Sequence, residues 1–193
     1  MGPLIIISGP AGSGKTTAVA ELLGRGRLPL RRAVTATTRP PRVGEVPERD
    51  YHFWTRERFE EEIARGGLLE HARVHDDYYG TPRSEVDPYR KQGTGVVLVI
   101  DVQGAAQVRQ IHPESYSVFL TVPGDRYRDR LIERGDSEAS IERRMQTARQ
   151  EIERIHEYNA QLVNDRLSDT VSELEALIAR QFAGGGGHEC SMI

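Results

Sequence analysis

Eight consecutive residues near the start of the chain, Gly9-Pro10-Ala11-Gly12-Ser13-Gly14-Lys15-Thr16, carry the spacing G-x-x-x-x-G-K-[ST]. Glycines at these intervals let the backbone curl so that successive N–H groups point at one anion, which the positive end of a following helix also attracts. In this pattern the lysine reaches the β and γ phosphates of a nucleoside triphosphate, and the next hydroxyl ligates magnesium. Lys15 and Thr16 are therefore the candidate cation and metal ligand. The alternative, a glycine-rich turn that binds nothing, is disfavoured by the flanks. Leu4-Ile5-Ile6-Ile7-Ser8 reads as a fully buried strand, and Thr16 to Leu23, with Val19, Leu22 and Leu23 at helical spacing, reads as a helix. The loop leaves open whether the γ phosphate goes to water, to a protein or to a small acceptor.

Two further clusters bear on that destination. Arg39 and Arg42 flank Pro40-Pro41, Tyr51 follows, and Tyr78-Tyr79-Gly80-Thr81 comes after a turn. Arginines and phenols on short, stiff segments suit a phosphate monoester, because each donor is directional and pre-positioned. On these residues alone the alternative stays open: the tyrosines pack, and the arginines pair at the surface with Glu45 or Glu48. Arg126, Arg130 and Arg134 recur at i, i+4 and i+8, on one helical face. Like charges one turn apart repel by a few tenths of a kcal/mol unless an anion compensates, or Asp129 and Glu133 do.

The elements that must position these groups alternate along the chain. Arg31 to Arg39 is β-prone, Asp50 to Trp54 is a strand, and Thr55 caps a helix from Arg56 to about Arg65. Glu57, Glu60, Glu61 and Glu62 give that helix an exposed acidic face, read as solvated rather than metal-binding. Leu68–Val74 and Asp77–Gly80 read as short strands, and Ser84 starts a helix. Val96 to Asp101 is an apolar run closing on an acid, as expected of a parallel strand with a functional carboxyl end. A helix from Gln103 to Ile111, a strand from Ser117 to Val122, a charged helical stretch to Tyr158, a strand at Leu162-Val163 and a helix from Asp169 to Phe182 complete the order. The expected fold class is α/β with a mainly parallel sheet. Two insertions interrupt it: a mixed α/β one from about Val34 to Val86, and an arginine-rich helical one from about Gly124 to Ile155. The four glycines after Ala183 mark a tail expected to be disordered.

With 193 residues, 26 basic and 29 acidic, the chain supports one sizeable core and a net charge of −3, which gives no electrostatic case for a nucleic-acid partner. Lys15 and Lys91 are the only lysines, so most positive charge is on arginine, the side chain suited to bidentate phosphate contact. Cys190 is the only cysteine, which excludes an internal disulfide and an ordinary zinc site and points to a reducing compartment. No run is long enough for a membrane span, and the expectation is a cytoplasmic protein without a signal peptide. Cys190-Ser191-Met192-Ile193 matches a prenylation box, but no polybasic stretch precedes it, and chance is the simpler account.

The chain resembles the guanylate kinase family. The matching segments, in family order over about residues 4 to 182, are Gly9 to Thr16; Thr37-Thr38-Arg39-Pro40-Pro41-Arg42-Val43-Gly44-Glu45; Asp50-Tyr51; Glu70; Tyr78-Tyr79-Gly80-Thr81; Ile100-Asp101-Val102-Gln103-Gly104; Arg130; Arg134-Gly135; Arg144; and Val163-Asn164-Asp165. The resemblance implies a P-loop three-layer core and magnesium-dependent transfer of the γ phosphate of ATP to GMP, and to dGMP, in purine nucleotide metabolism. It implies a single domain over 1–183, with core segments 1–33, 87–123 and 156–183, a GMP-binding region 34–86 and a lid 124–155. By the same resemblance, Gly9 to Thr17 with Asn164 and Asp165 bind ATP, and Lys15, Arg130, Arg134 and Arg144 are catalytic. Arg39, Arg42, Tyr51 and Tyr79 hold the GMP phosphate, and Thr35, Glu70, Thr81 and Asp101 face the guanine.

The role that the resemblance implies for Glu70 also makes chemical sense. Guanine presents N1–H and N2–H side by side to a carboxylate, where adenine would oppose it with a bare N1 lone pair. The alternative for Glu70 is an exposed carboxylate paired with Arg73. One departure stands out: the family usually carries an acid two positions before Asp101, and this chain has Val99. Two other readings compete, a guanylate-kinase-like phosphopeptide-binding scaffold and a kinase of a phosphorylated sugar. The complete loop argues against the first, and the base-reading Glu70 and Thr81 against the second.

Overall fold

In the computed structural model, which describes residues 1–74, 76–124, 126–133, 135 and 137–184, the first apolar run forms strand β1 (Leu4–Ser8), buried at every position. Its side chains alternate between two cores. Leu4 and Ile6 join one cluster with Val96, Leu98, Val108 and Phe119, while Ile5 and Ile7 join another with Val19, Leu22, Val171 and Ile178. A strand covered on both faces has no polar side, which is why the sequence shows a continuous apolar run. Each such aliphatic side chain contributes about 1.5–3 kcal/mol by burial.

Around β1 the chain builds α1 (Lys15–Arg25), β2 (Leu30–Arg32), β3 (Ala36–Thr37), β4 (His52–Phe53), α2 (Arg56–Ala64), β5 (Leu68–Val74) and β6 (Asp77–Pro82). There follow α3 (Asp87–Lys91), β7 (Gly95–Val99), α4 (Val102–Ile111), β8 (Tyr116–Thr121), α5 (Arg126–Glu133), α6 (Glu138–Glu153), β9 (Ala160–Val163) and α7 (Leu167–Gly184). The main sheet has the order β2-β7-β1-β8-β9, and all its pairings are parallel. Helices cover both faces, so the expected three-layer α/β core is observed. The strand order reverses on either side of β1, and ligands of such sheets bind outside the carboxyl ends at that switch point. Ser8 and Val99 mark those ends.

A second, mixed sheet, β4-β3-β6-β5, holds the acceptor cluster over its own small core of Ala36, Trp54, Phe59 and Leu68. It is fastened to the main layers through α4. The Gln107 carboxamide accepts from the His71 backbone N–H at 3.1 Å and donates to the His71 carbonyl at 2.7 Å, as a neighbouring strand would.

Several sequence expectations need correction. Residues 83–85 form a 3₁₀ turn, and the helix proper starts at Asp87 rather than Ser84, because Pro88 suits the first helical turn. Strand β7 stops at Val99, so Asp101 lies beyond it and caps α4, accepting from the N–H groups of Gln103 and Gly104. Glu62 does not share the exposed acidic face of α2; it is buried and ion-paired with Arg65. Arg134, Cys190 and the expected tail lie outside the described residues, apart from Gly184, which ends α7.

Candidate active site

The phosphate loop runs from the end of β1 to the first turn of α1. Gly14 leaves no room for a side chain: φ is 85°, and a β-carbon there would overlap the carboxamide of Asn164. That carboxamide donates a 2.9 Å hydrogen bond to the Ser13 carbonyl, tying the end of β9 to the loop. The Lys15 ammonium folds over the loop and donates to the carbonyls of Gly9 (2.6 Å) and Pro10 (3.0 Å). Arg130, on α5, reaches the same place: its guanidinium donates to the Asn164 carbonyl at 3.0 Å and to the Gly12 carbonyl at 3.4 Å. A cation from the helical insertion is thus seated on the loop.

One continuous cleft of about 890 Å³ joins this loop to the acceptor sheet. Lys15, Thr16, Thr17, Arg130 and Arg144 line one end of it, and Arg39, Arg42, Tyr51, Glu70 and Tyr79 the other, with Val99 and Asp101 between them. Sequence-distant residues proposed for donor and acceptor therefore face one space.

At the acceptor end, Arg39 is buried and bound in a bidentate ion pair to Glu45, at 2.6 and 2.7 Å, with its guanidinium carbon 4.9 Å from the centre of the Tyr51 ring. The Arg39 hydrogen bond holds the Glu45 carboxyl below its ordinary range and raises the arginine above its own. Pairing with Glu45 was the structural alternative for this arginine, but it takes place inside the cleft wall and not on the surface. The pair orients the guanidinium beside Tyr51, whose ring meets that of Tyr79 edge-on at 6.2 Å. Glu45 also accepts from the backbone N–H of Arg42, at 2.8 Å.

Glu70 is 4% exposed and does not pair with Arg73, which lies by Asp76 instead. Its Oε1 accepts from the Thr81 hydroxyl at 2.6 Å. Burial pushes its pKa up to about 7, and the nearby charge of Asp101 pushes the same way, against the Thr81 hydrogen bond. A β-carbon on Gly104 would overlap Oε2 of Glu70, so the absence of a side chain at the start of α4 makes room for this carboxylate.

Other expected site residues are placed elsewhere. Thr35 is not part of the cleft lining; its carbonyl accepts from the His52 backbone at 2.9 Å. Asp165 lines a separate notch with Arg166 and Glu173, and meets Arg126 at 2.9 Å. Thr81 acts on the cleft through Glu70, and Asn164 through the loop carbonyl. Pro10 and Ser13 contribute main-chain groups to the loop.

A family model described as guanylate kinase matches residues 1–181. The chain belongs to the guanylate kinase family. It is 44% identical over 188 residues to a guanylate kinase of Synechococcus sp. strain JA-3-3Ab, covering 96% of this chain and 86% of that protein. A guanylate kinase of Clostridium tetani is 38% identical over 182 residues, covering 93% and 86%. The crystal structure of guanylate kinase from Anaplasma phagocytophilum superposes with a TM-score of 0.77 at 27% identity, covering 93% of this chain and 86% of that one.

Within this guanylate kinase fold the cleft also holds residues that the motifs did not single out. Glu151, on α6, lines it beside Lys15; burial pushes its pKa up to about 7, although the Lys15 charge opposes this. Arg144, Thr147 and Glu151 follow the i, i+3, i+7 spacing of one helical face, a signal present in the sequence. Gly104 and Gln107 had no comparable signal, since their importance depends on what packs against them.

The donor atoms of the cleft fit magnesium. Thr16 is exposed at the loop and offers a hydroxyl, and Asp101 and Glu151 add carboxylate oxygens to the same space. Among the described residues no group of three or more His, Cys, Asp or Glu could hold a metal by itself. An oxygen-rich but sparse donor set fits magnesium, which keeps several waters and takes the rest of its shell largely from nucleotide phosphates.

Proposed function

We infer that this chain catalyses transfer of the γ-phosphoryl group of ATP to GMP, giving ADP and GDP. One observation carries the reading: a single cleft has the phosphate loop at one end and, at the other, a buried carboxylate beside an arginine and tyrosine cluster. A phosphopeptide scaffold has no use for Lys15 and Thr16 in the same cleft, and a sugar-phosphate kinase has no base for Glu70 to read.

Little proton chemistry is required, because the attacking phosphate oxygen of GMP is already anionic near neutral pH. Catalysis consists of aligning two polyanions and neutralising their charge. In our reading Arg39, Arg42, Tyr51 and Tyr79 fix the acceptor phosphate, and Glu70, held by Thr81, takes the two guanine donors. Asp101, whose Oδ1 is engaged in capping α4, keeps Oδ2 for the same base. Lys15 exchanges its loop carbonyls for the β and γ phosphates. Arg130 and Arg144, with Arg134, close from the 124–155 segment, which acts as a lid and excludes water that would otherwise hydrolyse ATP. Thr16 would hold the magnesium ion, which supplies charge neutralisation when bound. Residues 34–86 form the acceptor region of a single domain, and dGMP is also a substrate. Small molecules are then the partners, with no nucleic acid or membrane, and the setting is the cytoplasm; among the described residues no helix is long and apolar enough to cross a membrane.

The test is a coupled ADP-release assay across GMP, dGMP, AMP, CMP and UMP. GMP is expected to be best; if AMP outperformed it, the guanine assignment would collapse. Lys15→Ala should reduce transfer at least about 10³-fold while the circular dichroism spectrum and melting temperature stay those of the parent.

A further inference from the structure

Glu151 stands two helical turns after Arg144 on the face of α6 that lines the cleft, together with Lys15, Thr16, Val99 and Asp101. Its Oε2 is buried and has no hydrogen-bond partner among the described residues. Removing a carboxylate oxygen from water without giving it a donor is unfavourable, and such an atom calls for a functional account. The other acids of the cleft are engaged or distant in role. Glu70 accepts from Thr81 at the acceptor end, Oδ1 of Asp101 caps α4, and Glu133 is exposed on α5. At the end of β7 the cleft wall is the apolar side chain of Val99.

A carboxylate oxygen only accepts, so what it needs is a hydrogen donor. Magnesium bound to a nucleotide supplies donors of that kind, because it keeps several waters, and its binding sites use one or two carboxylates in addition to phosphates. Bare phosphates supply none and would be repelled. We propose that Glu151 is a positioning residue for the metal of the donor nucleotide, accepting hydrogen bonds from its coordinated waters. The inference rests on Thr16 as the metal's protein ligand. Arg144 and Glu151 then give one helix face two complementary functions: the arginine answers the phosphates, and the glutamate distinguishes the metal complex from the metal-free nucleotide. Lid closure over a nucleotide lacking its metal is disfavoured by the same carboxylate.

Titration calorimetry of the full chain with ADP, in excess magnesium and in EDTA, tests this without turnover. The parent should bind Mg-ADP more tightly than ADP. In Glu151→Gln that preference should fall about tenfold or more, while metal-free ADP binds equally well or more tightly, since a negative charge beside the phosphates is gone. Electron paramagnetic resonance of Mn²⁺ titrated into the enzyme–ADP complex should show the same weakening. A Gln variant that keeps the full magnesium preference overturns the proposal. A parent with no preference overturns the Thr16 reading and this inference together. Should Glu151→Gln fold poorly, Glu151→Asp replaces it in the Mn²⁺ experiment, because the shorter side chain withdraws the carboxylate; full Mn²⁺ affinity there again overturns the proposal.

Discussion

The hydroxyl of Thr81 donates a 2.6 Å hydrogen bond to Oε1 of Glu70, and both residues are almost wholly shielded from solvent. The bond holds the carboxylate in one orientation while leaving its second oxygen toward the α4 side of the cleft. Hydrogen bonds to charged groups are worth about 1.5–3 kcal/mol, so Thr81→Val should raise the KM for GMP by roughly tenfold or more, with the KM for ATP unchanged. Glu70→Gln should be more severe, because the amide presents a donor to one of the guanine donors. Steady-state kinetics with each substrate varied in turn separates these outcomes from a general loss of activity.

Glu70 also sets a pH dependence. Its pKa in the folded protein, about 7, lies above the ordinary carboxyl value of 4.5. The folded state therefore binds the proton more tightly than the unfolded chain. This contribution to stability is fully present below about pH 4.5 and is lost as the pH rises toward and through 7. A shift of that size corresponds to a few kcal/mol. Chemical denaturation at pH 8 should accordingly find Glu70→Gln more stable than the parent. Guanine binding has the opposite sign: its two donors require the ionised form, so the affinity for GMP should fall as the pH drops below about 7. Calorimetry of GMP binding between pH 5.5 and 8 reads this directly, and a flat profile would contradict it.

Gly104 fits against the other oxygen of the same carboxylate. Gly104→Ala would push Glu70 aside or displace the start of α4, and displacements near 1 Å at a reacting geometry cost about 10²-fold in rate. The expected result is a loss of that order in kcat/KM for GMP with ADP binding retained. Equal losses for both nucleotides would instead point to a disturbed main sheet.

Val99 ends β7 inside the cleft, where the family resemblance leads one to expect an acid. Val99→Asp should bring a further carboxylate near the phosphates and increase turnover at limiting magnesium. Initial rates across a magnesium titration are the measurement. If neither turnover nor the half-saturating magnesium concentration changes, the apolar residue at this position has no functional cost.

How much of this could be read from the chain depended on whether the cause of each feature is local. The buried strand, the glycine loop and the capping by Thr55 rest on neighbours in sequence, and the structure places all three as expected. The parallel sheet followed from alternation of strand and helix patterns. Burial of individual charges was not legible: Glu62 looked solvated beside Glu60 and Glu61, yet it is buried, with Arg65 one turn on as its ion-pair partner. Arg39 had two readings, ion pair or phosphate contact; the structure shows the ion pair, with Glu45, and places the guanidinium in the lining of the cleft. Helical spacing places Glu151 on the face of Arg144, but its burial over the loop, like the fit of Gly104 against Glu70, arises from segments far apart in sequence and had no local signal.

The clasp of Gln107 on His71 has a consequence outside catalysis. Strand β5 is the last of its sheet, and an uncovered last strand offers unsatisfied main-chain groups on which foreign chains can polymerise. The carboxamide occupies both groups of His71 and so blunts that edge near its middle. The residue that moors the acceptor sheet to α4 thereby also denies a foreign strand the two main-chain groups of His71.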